Sequence, residues 1–209
     1  FIISIDQGTT SSRAILFDLK GKPVFSSQKE FTQYFPNSGW VEHNPEEIWS
    51  TTKKVLKDVI QKAKRIKGKV LTIGITNQRE TTVLWDKKTG KPVYNAIVWQ
   101  DRRQEVYCEK LRKQNKETLI FNRTGLLIDS YFSGMKIKWI LDNVPKAKVL
   151  MNKKQLLFGT IDSFLIWRFT KGKVHATDAT NASRTMIYNI STNKWDDKIL
   201  NLLKIKKHI

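Results

Sequence analysis

Apolar residues crowd the start of the chain, Phe1-Ile2-Ile3-Ser4-Ile5, and the run breaks at Asp6. A short apolar run bounded by turn residues predicts a buried strand. Gly8 follows, then the hydroxyl residues Thr9, Thr10, Ser11 and Ser12, then Arg13, before a second strand is expected over residues 14–18. This spacing predicts a hairpin that turns tightly at Gly8. A turn at Leu19-Lys20-Gly21-Lys22 leads into residues 24–31, whose alternation predicts a third strand. Residues 33–44, with Pro36, Gly39 and Trp40, read as a loop. The period then lengthens: Ile48, Thr52, Val55, Leu56, Val59, Ile60 and Ala63 share one helical face. Asn44 as cap, Pro45 in the first turn, and Glu46 and Glu47 against the positive end of the dipole mark its start. The helix should run to about Arg65 and end by Gly68. Residues 70–75 then predict a strand, parallel to an earlier one because a helix precedes it. The order β-β-β-α-β specifies an α/β plan with a mixed sheet. It puts the Asp6 turn at a strand's carboxyl end, where ligands of open α/β sheets bind.

The polar stretch Thr76-Asn77-Gln78-Arg79-Glu80-Thr81-Thr82 ends that fourth strand. Strands are expected at 83–85 and 96–99, and the second runs into Gln100-Asp101-Arg102-Arg103, where Asp101 is expected to cap a helix to about Gln114. The remainder reads as mostly helical. Ser133 opens a helix through Met135, Ile137, Trp139, Ile140 and Leu141 that Pro145 stops; 156–158 is a short strand, 161–170 an apolar helix, and 177–185 a polar loop. Without a repeat or linker, the simplest division is one domain, or one domain with a helical elaboration.

Composition narrows the function classes. The net charge of +19 invites a nucleic-acid reading, but only nine of the 38 basic residues are arginine. Lysine is the weaker choice for bidentate recognition, and the lysines are spread from Lys20 to Lys207, which describes a solvated surface. No run approaches the ~18 apolar residues of a membrane span. The single cysteine, Cys108, excludes an internal disulfide and fits a reducing cytosol. The chain opens inside a strand and closes on residues 204–209 without a terminating signal, so a longer protein is expected.

The candidate chemistry starts at the first turn. Gly, Thr and Ser offer backbone N–H groups and hydroxyls to a phosphate with no bulky side chain in the way. Asp6 would hold a magnesium ion through water, and Arg13 would add a charge-assisted contact to the same anion. The competing reading is a polar hairpin on a basic surface. There is no G-x-x-x-x-G-K-[ST] loop, no G-x-G-x-x-G, no zinc-spaced His/Cys cluster and no serine elbow. Arg79 beside Glu80 reads either as a solvated loop pair or as the donor and acceptor that a polyol hydroxyl needs. Trp99 and Tyr131 read either as core or as the apolar wall for a carbon skeleton.

Six segments carry a resemblance to the FGGY carbohydrate kinases, a branch of the actin-like ATPase superfamily with a ribonuclease H-like fold. They are Asp6-Gln7-Gly8-Thr9-Thr10-Ser11-Ser12-Arg13, Gly39-Trp40-Val41-Glu42-His43, Gly74-Ile75-Thr76-Asn77-Gln78-Arg79-Glu80-Thr81, Asn95-Ala96-Ile97-Val98-Trp99-Gln100, Tyr131-Phe132-Ser133-Gly134 and Thr180-Asn181-Ala182-Ser183-Arg184-Thr185. They span the chain in the family's order. The first is shared across the superfamily; Asn-Gln-Arg-Glu-Thr and Asn-Ala-Ser-Arg-Thr are narrower and point to glycerol rather than a pentose or hexose. The resemblance implies that Thr9, Thr10, Ser11 and Arg13 contact the phosphates of ATP, with Asp6 near Mg2+. It implies that Arg79, Glu80 and Tyr131 bind glycerol hydroxyls and that Trp99 packs on the carbon face. Ser130 departs from the proline that precedes the tyrosine in the family.

The family's general base is an aspartate in a Gly-Asp-Gln segment, which does not occur in residues 1–209. The resemblance therefore implies that 1–209 is an N-terminal domain whose partner is its own C-terminal domain. It further implies a cytoplasmic enzyme, homo-oligomeric in full-length form, with no nucleic-acid partner. Another polyol or sugar acceptor, a ribonuclease H-like nucleic-acid enzyme, and a non-catalytic relative remain the alternatives. A two-metal nucleic-acid site needs several converging carboxylates, and the fourth strand ends in Thr76-Asn77-Gln78 with Glu80 as its only nearby acid.

Overall fold

Burial alternates along the first strand, β1 (Ile2–Gln7), with Ile3, Ile5 and Gln7 inside, as a two-residue period requires. In the computed structural model, which describes residues 1–209, β1 pairs antiparallel with β2 (Ser11–Phe17), and β2 with β3 (Pro23–Glu30). The hairpin expected at Gly8 is present, closed by the Gly8 N–H donating to the Ser11 carbonyl at 2.9 Å. Two-residue β4 (Glu42–His43) precedes α1 (Pro45–Arg65). The Asn44 side chain caps α1 by accepting from the Glu46 N–H at 2.9 Å. The helix buries Ile48, Val55, Leu56, Val59 and Ala63, and Thr51 and Thr52 meet the buried Ser12 hydroxyl of β2 at 3.0 and 3.1 Å. The chain returns in β5 (Thr72–Asn77), parallel to β1, giving the strand order β3-β2-β1-β5.

That last strand lies two residues later than its apolar pattern predicts. Pairing with β1 decides its limits: Ile2 stands opposite Thr72 and Gln7 opposite Asn77. At an edge, polar Thr76 and Asn77 remain partly solvated and are tolerated in the ladder.

The chain forms two compact units, Phe1–Gln33 with His43–Gln78, and Tyr34–Glu42 with Arg79–Ile209. The second contains β6 (Val83–Asp86), β7 (Ala96–Ile97), α2 (Glu105–Lys113), α3 (Glu117–Thr124), α4 (Ser133–Asn143), α5 (Pro145–Asn152), β8 (Leu156–Gly159), α6 (Ile161–Phe169), α7 (Ala179–Ser183), β9 (Tyr188–Asn189), β10 (Lys194–Trp195) and α8 (Asp197–Leu202). β6 pairs antiparallel with β8. Leu84, Ile97, Cys108, Ile120, Met135, Ile140, Leu156 and Ile199 belong to one continuous core. No helix is long and apolar enough to cross a membrane.

Four expectations change here. Asp101 does not cap α2, which begins at Glu105; its carboxylate instead accepts from the Val41 N–H at 2.7 Å and from Arg103. β7 stops at Ile97, because the Val98 N–H donates to the Val41 carbonyl and the Trp99 N–H to the Thr81 hydroxyl. Pro145 ends α4 but also begins α5, where its missing N–H removes no helical bond. The polar loop at 177–185 contains α7, whose Asp178 side chain accepts from the Asn181 N–H.

Trp85 is fully buried, and Gly159 permits it: an added Cβ there would stand 2.9 Å from the indole and 2.7 Å from the Ser163 Cβ. Gly159→Ala is expected to lower stability by about 1–3 kcal/mol, read from the urea midpoint of the isolated chain.

Candidate functional site

The two candidate clusters lie in different units. In the first unit, every carbonyl of the turn at residues 8–11 is engaged. Gly8 O accepts from the side-chain amides of Gln7 and Gln78 at 2.8 and 3.2 Å. Thr9 O accepts from the Gln33 amide at 3.0 Å. Thr10 O accepts from the Phe31 N–H, and Ser11 O from the Gly8 N–H. Carbonyl oxygens repel a phosphate. Engaging all of them in the protein leaves a turn whose remaining polar surface is hydroxyl and amide N–H, as an anion cradle requires.

The side chains that do this form a network the sequence did not disclose. Gln78 also donates to the Gln7 carboxamide at 3.1 Å and reaches His43 Nδ1 at 3.3 Å, while His43 Nε2 meets Gln33 Oε1 at 2.6 Å. Burial pushes the His43 imidazole down to about 4, so it is neutral at pH 7. The network assigns its proton to Nε2, which donates to Gln33.

Asp6 and Arg13 are cross-strand partners in the β1–β2 register. Arg13 Nη2 donates to Asp6 Oδ2 at 2.6 Å, with both side chains partly solvated. Ser11 Oγ accepts from Gln28 at 3.0 Å. Thr9, Thr10, Ser11 and Arg13 thus share one hairpin end with Asp6.

In the second unit, Glu80 is 2 % exposed and adopts a left-handed backbone at φ 65°, uncommon for a residue with a side chain. Two hydroxyls hold its carbonyl, Ser133 at 2.9 Å and Thr82 at 3.1 Å. Its carboxylate pairs with Arg184 Nε at 2.6 Å. Arg79 is exposed while Glu80 is buried, so the two do not form a solvated loop pair. Arg184 was visible in sequence only as part of Asn181-Ala182-Ser183-Arg184-Thr185, since a contact spanning 104 residues leaves no local signal.

Aromatic rings complete this cluster. Trp99 and Tyr131 meet edge to face at 5.6 Å, Tyr131 packs on Phe132 at 5.3 Å, and the Arg184 guanidinium stands 5.7 Å from the Tyr131 ring and 5.0 Å from that of Phe132. The sequence-predicted Glu80, Trp99 and Tyr131 are thereby brought into one cluster. The approach of the Arg184 segment depends on Gly134, where a Cβ would lie 3.0 Å from both the Thr185 carbonyl and Ile187 Cγ2.

A buried clasp fixes the loop that carries Trp99. Arg103 pairs with Glu42 and Asp101, both at 2.8 Å, with all three side chains at most 3 % exposed. Its guanidinium lies 3.8 Å from the Trp40 ring and 4.5 Å from that of Trp139. Glu42 also accepts from the Tyr94 hydroxyl at 2.7 Å and from Asn95 at 2.9 Å.

Comparison with known proteins places these features. The model of the FGGY family of carbohydrate kinases, N-terminal domain, matches residues 1–209. A glycerol kinase of Alkaliphilus oremlandii is 59% identical over 207 residues, 99% of this chain and 41% of its own. A glycerol kinase of Malacoplasma penetrans is 58% identical over 209 residues, 100% of this chain and 41% of its own. The crystal structure of Plasmodium falciparum glycerol kinase with ADP superimposes with a TM-score of 0.92 at 38% identity, over 97% of this chain and 40% of that one. A ligand-bound xylulose kinase from Lactobacillus acidophilus reaches a TM-score of 0.87 at 27% identity, over 99% of this chain and 40% of that one. The chain thus spans about two fifths of the length of the relatives it matches.

Two outcomes are expected of the isolated chain. Arg184→Ala leaves the Glu80 carboxylate buried without its cation, and about 2 kcal/mol of stability should be lost in urea denaturation. His43, held near 4 against 6.5 when unfolded, binds more protons in the unfolded state. Stability is therefore lost as pH falls from 6.5 towards 4, by up to about 3 kcal/mol, and His43→Gln should flatten that slope.

Proposed function

The chain belongs to the FGGY family of carbohydrate kinases, and we propose that the protein containing it is a glycerol kinase, transferring the γ-phosphoryl group of ATP to a terminal hydroxyl of glycerol to give sn-glycerol 3-phosphate. The observation that carries this reading is the Glu80–Arg184 pair beside Tyr131 and Trp99. Each glycerol hydroxyl both donates and accepts. A carboxylate accepts, the guanidinium groups of Arg79 and Arg184 donate, and the Tyr131 phenol does either. The Trp99–Tyr131 pair offers aromatic surface to the carbon chain, which suits a small polyol.

The hairpin end of the first unit is assigned to the phosphates, through Thr9, Thr10, Ser11 and Arg13. Among residues 1–209 no group of three His, Cys, Asp or Glu side chains could hold a metal by itself. Asp6, a single carboxylate with 35% side-chain exposure, fits a magnesium ion that arrives on the nucleotide and keeps most of its waters. Such an ion would neutralise charge on the transferring phosphoryl group. The chain's own contribution is positioning: the polyol hydroxyl attacks phosphorus, the bond from the γ-phosphorus to the bridging oxygen breaks, and ADP leaves. The hydroxyl proton passes to a base outside 1–209, assigned to an aspartate of the C-terminal domain. The single buried Cys108, whose thiol burial pushes up to about 12, suits a cytoplasmic enzyme.

The test is a substrate panel with the full-length protein: glycerol, xylulose, gluconate and erythritol, with ATP and Mg2+. Glycerol should give the highest kcat/KM, and Glu80→Ala should lower it by about ten- to a hundredfold. A preference for a pentose or for gluconate overturns the reading. Residues 1–209 alone should not phosphorylate glycerol; measurable turnover by them would overturn the assignment of the base.

A further inference from the structure

Lys136 lies on α4 and is 1% exposed. Lysine is rarely buried this fully without partners. Its ammonium reaches back beyond the start of the helix and donates to the Ser130 carbonyl at 2.8 Å and to the Tyr131 carbonyl. α4 has no side-chain cap of its own at Phe132. The lysine thus binds the turn that leads into the helix. The same turn is held at its other groups: the Tyr131 N–H donates to Asp129 at 2.7 Å, and the Ser130 hydroxyl to Glu105 at 3.2 Å. Both backbone polar groups of Tyr131 are therefore fixed by buried or half-buried charges.

We propose that Lys136 is a positioning residue of the polyol site, setting where the Tyr131 phenol stands by gripping the backbone on either side of it. The inference rests on the assignment of Tyr131 to glycerol. The groups facing the ammonium are Asp101, Glu80, Asp129 and Cys108, all of which favour its charge, while burial opposes it and brings Lys136 down to about 7. The charge thus also lies among the buried acids of this unit, Glu80 included. Because ordinary lysine titrates far higher, the unfolded chain binds more protons between about 7 and 10.5, and stability rises with pH across that window.

The experiment uses the full-length enzyme with Lys136→Met, which fills the volume without donating, and Lys136→Gln, which restores one donor. Lys138→Met serves as control, since Lys138 pairs with Asp142 on the same helix. Lys136→Met should raise KM for glycerol about tenfold and leave KM for ATP within twofold. Lys136→Gln should recover part of the loss, and Lys138→Met should change neither constant. The indole N–H resonance of Trp99, assigned with Trp99→Phe, should shift in Lys136→Met but not in Lys138→Met. An unmoved Trp99 resonance overturns the proposal, as does a KM for glycerol that stays at the wild-type value or rises in step with KM for ATP. If the wild-type enzyme does not use glycerol, the functional reading fails, and the resonance alone then decides whether Lys136 positions Tyr131.

Discussion

A carboxylate removed from water must keep a cation or hydrogen-bond donors beside it, because its desolvation otherwise exceeds what packing returns. The second unit of this chain is arranged around that requirement. Glu80, Glu42 and Asp101 are each about 2 % exposed. Glu80 takes Arg184, while Glu42 and Asp101 share Arg103. Lys136 adds a third cation within range of Asp101 and Glu80. Glu80–Arg184 and Glu42–Arg103 join segments far apart in sequence, so satisfying those charges fixes the loops that carry Trp99, Tyr131 and Arg184. Such pairs contribute little net stability over apolar packing. What they supply is a specific geometry, in which an acceptor, a donor and an aromatic wall meet.

The first unit solves a different problem with neutral groups. A turn open to an anion must engage its carbonyls, and here side-chain amides hold those of Gly8 and Thr9 while backbone N–H groups hold those of Thr10 and Ser11. Gln7, Gln33 and Gln78 donate to the turn, and a neutral His43 joins Gln33 to Gln78. A charged histidine would have two donors and no acceptor for Gln78. Burial keeps it neutral, so the network depends on the same desolvation that elsewhere demands ion pairs. The Asp6–Arg13 pair at the hairpin end is more solvated and can exchange partners more readily.

At Asp101 and at β5 local reading failed because a distant partner, Val41 or β1, prevailed over the local pattern. Asp101 has the composition of a helix cap, yet Val41 and Arg103 take its carboxylate and α2 begins four residues on. Residues 177–185 look like a hydroxyl-rich loop, but Asp178 caps a short helix there that presents Arg184. Arg79 and Glu80 are neighbours in sequence, yet Glu80 is buried against Arg184 while Arg79 stays exposed. β5 begins late because its ladder with β1, not its own apolar run, sets its limits.

The sequence by itself determined the elements whose signal is periodic and local: β1 to β3, the hairpin at Gly8, α1 with its Asn44 cap, the parallel return of β5, and the candidate residues Asp6, Glu80, Trp99 and Tyr131. Alternation and capping act over a few residues and are written where they act. The tertiary structure alone decided which cation answers Glu80 and which answers Glu42, that Lys136 is inside, and that Gln33 and Gln78, linked through His43, engage the turn's carbonyls. Those choices depend on contacts across tens of residues, and a charge or an amide carries no mark in sequence of the partner it will meet.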